Sequence, residues 1–395
     1  MSDRLSPEVK RLGWVSFFTD VSSEMLYAVT PIFLTTVLGA GPGVVGVIEG
    51  VAEATASILK GLSGWYSDRI RRRRRFILVG YALSAFAKPL IALAGSWLFV
   101  LVARFLDRLG KGVRSSARDA LIADVTPAAL RGRAFGLHRA MDTAGALLGV
   151  AVTLLIMERF GGTGKPEILL RNLYWLAFLP ALLGVLIIFF VREPRREQSA
   201  SPGMAPTGRK PLGKSFWWIV GLASIAYLGF SSDAFLILKA RDGGLTVTQV
   251  LIGYLLYNLS YTLAAWPVGK LADRLPKELL IAVGLFIYAL VYFGFAALDS
   301  RWLVFALFAA YGLYAALTEG VFRALIANVV APDVKATAIG LFSMITGMLA
   351  LIASLAAGWL WENVSADTPF LLGAACAFIA ASGFLFLRVK PAAAA

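Results

Sequence analysis

WLFVLVARFLDRLGKGVRSSARDA, residues 97–120, opens as an apolar run and turns charged at Arg104. Arg104, Asp107, Arg108, Lys111, Arg114 and Arg118 then arrive within the length of one membrane span. A charge at the bilayer centre costs roughly 2.5–3.5 kcal/mol on the insertion scale, so even four of these would oppose insertion by on the order of 10 kcal/mol. The spacing resolves the conflict. Positions i, i+3, i+4, i+7, i+10 and i+14 share one stripe of a helix, while Phe105, Leu106, Leu109, Val113 and Ala117 form the other face. Such a helix belongs inside a bundle, its charges turned to a water-filled cavity or to acidic partners.

The rest of the chain fits that setting. Of 395 residues 58% are hydrophobic and the mean hydropathy is +0.74, against about 45–50% apolar content for soluble domains. Long uncharged runs recur at about the 20 residues a spanning helix needs. The pattern predicts about twelve helices, near 12–36, 44–66, 76–95, 97–123, 133–157, 171–191, 215–238, 247–270, 278–297, 302–329, 336–361 and 367–388. The fold class expected is an all-α polytopic membrane protein. MSDRLSPEVKR at the start lacks the short apolar core and cleavage site of a signal peptide and reads as a cytosolic lead. A single cysteine, Cys376, forbids an internal disulfide, and a single histidine, His138, forbids a histidine-built metal site. The net charge of +14 is ascribed to cytoplasmic loops rather than to nucleic acid, because the basic residues sit beside spans. There is no Gly-rich phosphate loop and no catalytic set, so neither an enzyme nor a bound cofactor is expected.

Assigning the even-numbered connections to the cytoplasm collects Arg69, Arg71 to Arg75, Arg131, Arg133, Arg192, Arg195, Arg196, Arg209, Lys210, Lys214, Arg274 and Lys277 on that side. Arg159, Lys165, Arg241 and Arg301 fall opposite. Both termini are then expected inside. Residues 192–214 are rich in Pro, Ser, Gly and charge, a linker composition. The domains expected are a six-helix bundle over 1–191, this linker, and a second bundle over 215–395. An internal repeat supports the division. ALIADV at 120–125 matches ALIANV at 324–329, Gly136-Leu137 matches Gly340-Leu341, and GWYSDR at 64–69 matches GKLADR at 269–274, all at nearly one shift. Two copies in one orientation are the parallel-repeat logic of transporters.

With these features the chain resembles the major facilitator superfamily over essentially its whole length. Gly64, Ser67, Asp68, Arg69, Arg72 and Arg73 are similar to the G-x-x-x-D-R-x-G-R-R loop after that family's second helix, with Arg71 at the usual glycine. Gly269, Ala272, Asp273, Arg274 and Lys277 form a weaker second copy, with Pro276 at the glycine position. The resemblance implies that Gly64, Asp68, Arg69, Arg72, Asp273 and Arg274 act as a conformational gate. Arg108, Gly110 and Gly112 resemble an arginine-glycine signature on helix 4, with Arg104 a second reading of its arginine. Gly145 and Gly149 resemble the helix 5 signature of many exchangers, but Val150 stands at the proline, which speaks against drug/proton antiport.

Acidic partners for helix 4 are available. Asp20 and Glu24 lie four apart on helix 1, and Glu49 and Glu53 four apart on helix 2; helix 5 carries Arg139 and Asp142. The second half has Asp233 on helix 7 and Glu319 with Arg323 on helix 10. Lys88, before Pro89, is a further buried candidate, and Asn258, Tyr261, Tyr311 and Tyr314 offer hydrogen bonds. Three roles suit the charges: pairing between helices, proton coupling by a buried carboxylate (Asp20 or Glu24 first), and recognition of an anionic group by Arg104, Arg108 and Lys111. Five carboxylates equally suit a cation.

The function expected is secondary active transport of a small molecule by alternating access, coupled to protons, with export favoured. Uptake of a small organic anion, divalent-metal efflux and a membrane sensor that moves nothing are the alternatives. The setting expected is a bacterial cytoplasmic (inner) membrane, with lipid, a small solute and a coupling ion as partners, no nucleic acid, and a monomeric chain.

Overall fold

The computed structural model of the chain describes residues 6–70, 73–126, 131–161, 165–193, 212–272, 274–297, 300–330 and 334–387; within these, the side chains of 60–70, 123, 131–133, 136, 335 and 336 are not described. Every regular element among the described residues is a helix. In the first half they form α1 (Pro7–Tyr27), α2 (Val29–Thr36), α3 (Pro42–Ile70), α4 (Arg73–Ala92), α5 (Trp97–Asp124), α6 (Arg131–Phe160) and α7 (Pro166–Ile188). In the second they form α8 (Lys214–Leu228), α9 (Ala234–Asp242), α10 (Val247–Ala272), α11 (Lys277–Ala296), α12 (Leu303–Val329), α13 (Lys335–Asn363) and α14 (Thr368–Phe386). Most of the linker, residues 194–211, lies outside the described residues.

Two expected helices are each broken in two. The run expected at 12–36 starts instead at Pro7, where Ser6 caps the first turn by accepting from the Val9 amide. It then breaks at Ala28, between α1 and α2. Pro31 has no N–H to give the Tyr27 carbonyl, so the helical ladder is interrupted there. The run expected at 215–238 breaks over 229–233, the stretch GFSSD. Ser232 caps the restart by accepting from the Ala234 amide, and the freed Ser232 amide donates to Ser354 Oγ on α13 at 3.1 Å. Breaks of this kind survive at membrane depth where neighbouring helices satisfy the freed backbone.

The repeat reappears helix by helix. A shift of 204 residues carries Arg73–Ala92 onto Lys277–Ala296, α4 onto α11, and sets α6 over α13 within a residue. The two broken helices are counterparts under the same shift. Within the first half α4 packs on α5 and α7, and α1 on α6 and α7; within the second, α10 and α11 pack on α12, and α11 and α8 on α14. Between the halves α3 packs on α13 and α6 on α10, which is one contact repeated by the pseudo-symmetry.

Among the described residues, eight helices are long and apolar enough to cross a membrane, and α5 is not one of them. Its charges exclude it by composition, yet it packs against α3 and α4 like any other member of the bundle. Close approach is provided by glycine: a Cβ on Gly110 would meet Ser84 Oγ at 2.9 Å and Leu83 Cβ at 3.1 Å. Phe105 on the opposite face is exposed.

Candidate functional site

A cavity of about 340 Å³ lies between the two halves, lined by α1 to α7 on one side and by α10, α12 and the α8–α9 break on the other. The structure brings Asp20, Glu24, Glu53, Arg104, Asp107, Arg108, Lys111, Arg139, Asp233 and Glu319 to this one space. Glu49, Asp142 and Arg323 are not among its lining residues.

The wall from the first half is built on the charged stripe of α5. Arg104 is committed: its Nη2 lies 2.6 Å from both carboxylate oxygens of Glu49, and both side chains are buried. Such a pair survives burial only when each partner answers the other. Asp107 lies between two arginines, its Oδ2 3.9 Å from Arg104 Nη1 and 3.7 Å from Arg108 Nε. Lys88 donates to the Ser84 carbonyl at 2.9 Å. Arg108 and Arg114 are less provided for. They are 7% and 6% exposed, and Arg108 Nε and Arg114 Nε and Nη1 are buried without a hydrogen-bond partner. Arg114 rests its guanidinium on the Tyr81 ring, 4.2 Å from the centroid. Lys111 is exposed to the space.

The wall from the second half is aromatic and acidic. Tyr254, Tyr257, Asn258 and Tyr261 come from α10, Glu319 from α12, and Asp233 from the α8–α9 break. Tyr311 donates to Asp233 Oδ1 at 2.6 Å. Among the described lining residues this half contributes two carboxylates and no lysine or arginine.

Three hydrogen-bonded links cross between the walls. Tyr254 donates to Glu24 Oε2 at 2.8 Å, and Tyr27 to Asp233 Oδ2 at 3.3 Å. The Tyr27 and Tyr254 rings stack with centroids 5.2 Å apart and 14° between planes. Tyr261 accepts from Arg139 Nη2 at 2.9 Å and donates to Glu319 Oε2 at 3.2 Å. Both helix breaks serve these links, since Tyr27 ends α1 and Asp233 precedes α9.

The cavity is shut at the end where α3 begins. Gly43 donates its amide to Glu362 Oε1 at 2.8 Å. A Cβ on Gly358 would come 2.7 Å from Gly43 Cα, and one on Gly50 would come 2.9 Å from Leu351 Cδ1. Only residues without a side chain permit backbones this close. Toward the other end Lys111, Arg139 and Glu319 are exposed.

The chain also matches a known family. Residues 12–298 and 220–395 match the model of the Major Facilitator Superfamily. The chain belongs to the major facilitator superfamily. An uncharacterized MFS-type transporter of Methanocaldococcus jannaschii is 34% identical over 391 residues, 98% of this chain and 95% of that one. The multi-drug resistance efflux pump PmrA of Streptococcus pneumoniae is 26% identical over 302 residues, 71% of each chain. The crystal structure of a D-xylose-proton symporter superposes with a TM-score of 0.77 over 97% of both chains, at 16% identity, a likeness of fold.

Other members of the predicted site lie elsewhere. Asp142 meets His138 Nδ1 at 3.5 Å, and His138 Nε2 lies 2.8 Å from Ser16 Oγ, which also contacts Tyr81 and Arg118. That network sits beside the α1–α6 contact. Glu49 stands behind the wall as the partner of Arg104. Arg323 is exposed on α12. Of the family's loop residues, Gly64, Asp68, Arg69, Arg72 and Asp273 lie outside the described side chains; Arg274 is exposed, its amide donating to the Leu271 carbonyl at 3.0 Å. The site also includes Arg114, Tyr27, Tyr254 and Tyr257, which the sequence reading did not place there. Arg114 was on the α5 stripe, and Tyr27 stands four residues before Pro31, so each carried a signal.

Proposed function

We propose that this major facilitator chain moves a small solute by alternating access through the cavity between its halves, coupled to protons. The observation that carries the reading is the cavity itself: a charged space between two repeats, sealed at one end by contacts that cross the repeat boundary. Rocking of the halves about such a space would break the Tyr254–Glu24 and Gly43–Glu362 links and expose the other end. On this reading α1 with α2 and α8 with α9 act as single broken spans, so that the described helices would make twelve crossings. The basic-loop bias supports a multi-pass orientation in a bacterial cytoplasmic membrane with both termini inside, so the sealed end faces outward. Asp20 and Glu24 on α1 are the carboxylates proposed to carry the proton. Export is the proposed direction, supported by likeness to an efflux pump. The chain is proposed to work as a monomer.

A second reading, uptake of a small organic anion, is favoured by the unpartnered donors of Arg108 and Arg114 on the cavity wall. Metal efflux lacks support, since no group of three His, Cys, Asp or Glu side chains among the described residues converges as a cation site. The test is reconstitution into proteoliposomes with an imposed pH gradient. Solute accumulation driven by the gradient supports the proposal, and its sign distinguishes export from uptake. Solute movement indifferent to every ion gradient overturns coupling.

A further inference from the structure

Among the described residues, the basic side chains of the cavity sit on one wall, while carboxylates line both. Every basic lining residue comes from the first half: Lys88, Arg104, Arg108, Lys111, Arg114 and Arg139. Four of them already have a partner: Lys88 the Ser84 carbonyl, Arg104 Glu49, Arg108 the Asp107 carboxylate 3.7 Å from its Nε, and Arg139 Tyr261. Arg108, Lys111 and Arg114 recur at i, i+3 and i+6 on α5, and Arg108 and Arg114 are nine-tenths buried with donors left over. Asp20, Glu24, Glu53 and Asp107 share this wall; Asp107 pairs with Arg108 at 3.7 Å, and among the described residues no carboxylate comes within ion-pair distance of Lys111 or Arg114. Opposite them, the second half offers Asp233, Glu319 and the tyrosines Tyr254, Tyr257 and Tyr261, with no base among the described lining residues.

We infer that the solute is a small zwitterion whose oxyanion end meets Arg108, Lys111 and Arg114 and whose cationic end meets the Asp233–Glu319 tyrosine wall. The inference rests on the reading above that this cavity is the solute path. A bare anion would satisfy the α5 donors but leave its body against two carboxylates. A bare cation would suit the tyrosine wall, where two carboxylates attract it, but would leave the guanidinium donors buried and unanswered, at the full desolvation cost of each. A solute bearing both charges answers both walls, and a planar carboxylate matches the guanidinium fork. A flat body between the charges suits a wall of tyrosines.

The test is binding of three matched rings to the purified full-length protein, by isothermal titration: 4-(aminomethyl)benzoate, 4-methylbenzoate and 4-methylbenzylamine. The zwitterion is expected to bind at least about 10-fold more tightly than either singly charged ring, since each loses one buried charge contact. Lys111→Gln, at an exposed position, and Arg114→Gln should each weaken the zwitterion and leave the amine unchanged. Glu319→Gln should weaken the zwitterion and leave 4-methylbenzoate unchanged. Lys111→Gln keeps the test decisive if loss of the Arg114–Tyr81 contact unfolds the helix pair. Equal or tighter binding of either singly charged ring overturns the inference, as does binding of none of the three. Failure of the proposed transport function would appear separately, as gradient-insensitive proteoliposomes whichever ring binds.

Discussion

Tyr254 and Glu24 stand on opposite halves of the chain and are joined by a hydrogen bond of 2.8 Å, donated by the phenol to the carboxylate. The bond lies beside the stacked Tyr27 and Tyr254 rings and ties α10 to α1. A hydrogen bond to a charged group contributes about 1.5–3 kcal/mol, so this one weighs on the balance between conformations. Tyr254→Phe keeps the ring and removes the bond. It should shift the population by about 10-fold or more away from the conformation seen here. Spin labels on α3 and α13 at the sealed end, read by pulsed electron resonance, would show a longer distance gaining weight. An unchanged distance distribution would remove the bond from the gate. Tyr27→Phe should act in the same direction, and because the two rings touch, the double variant should depart from additivity.

Glu49 and Arg104 make a different kind of prediction. Each buries its charge against the other. Glu49→Ala leaves a buried guanidinium uncompensated, which costs about 3–5 kcal/mol. Thermal unfolding in detergent should show a large loss for either single substitution. Glu49→Leu with Arg104→Met replaces the pair by apolar groups and should recover most of that loss. Recovery of stability together with retained solute binding would assign Arg104 to the framework of α3 and α5. Recovery of stability with binding lost would return it to the solute.

The distribution of what was legible follows from this contrast. The bounds of α5, expected at 97–123 and found at Trp97–Asp124, come from a short apolar run continued by a charged stripe at helical spacing and need no knowledge of neighbours. The stripe of Arg104, Asp107, Arg108, Lys111 and Arg114 follows from helical spacing alone, and all five line the cavity. Which of them is free does not follow. Arg104 is answered from α3 and Asp107 by two arginines of its own helix, and such pairings depend on how helices dock. Asp142 has the same residue type as Asp20, yet faces His138 rather than the cavity. The helix breaks were the local signals left unread, Pro31 after α1 and GFSSD before α9. Both are turn or ladder-breaking chemistry inside apolar runs whose hydropathy alone suggests one continuous span.

Gly46 tests the sealed end directly. A Cβ there would meet the Ser354 backbone and approach the Phe235 ring at 3.2 Å. Gly46→Val should hold α3 away from α13, abolish transport, and leave positions near Gly43 open to a membrane-impermeant thiol reagent in a cysteine variant. Gly221→Ala is the control, since nothing lies within 4 Å of the added carbon. It should leave transport intact and, in a helix interior, raise stability by about 0.5–1 kcal/mol. Equal loss of transport in both variants would point to general destabilisation rather than to the gate.

Substitutions at Asp20 and Glu24 would separate the proposed coupling from the gating. Glu24 receives the Tyr254 hydroxyl across the halves, whereas Asp20 lines the cavity without a hydrogen-bond partner within the described residues. Asp20→Asn removes an ionisable group and disturbs no cross-half contact. It should abolish accumulation driven by a pH gradient while sparing counterflow exchange of labelled solute, because exchange needs the cavity to alternate but needs no net proton movement. Glu24→Gln removes the charge that strengthens the Tyr254 bond, so it should weaken coupling and also shift the spin-label distances toward those of Tyr254→Phe. Proteoliposome uptake with and without the gradient, beside counterflow, gives both readings from one preparation. Coupling that survives Asp20→Asn unchanged would move the proton to Glu24 or to Asp233, and Asp233→Asn would then decide between them.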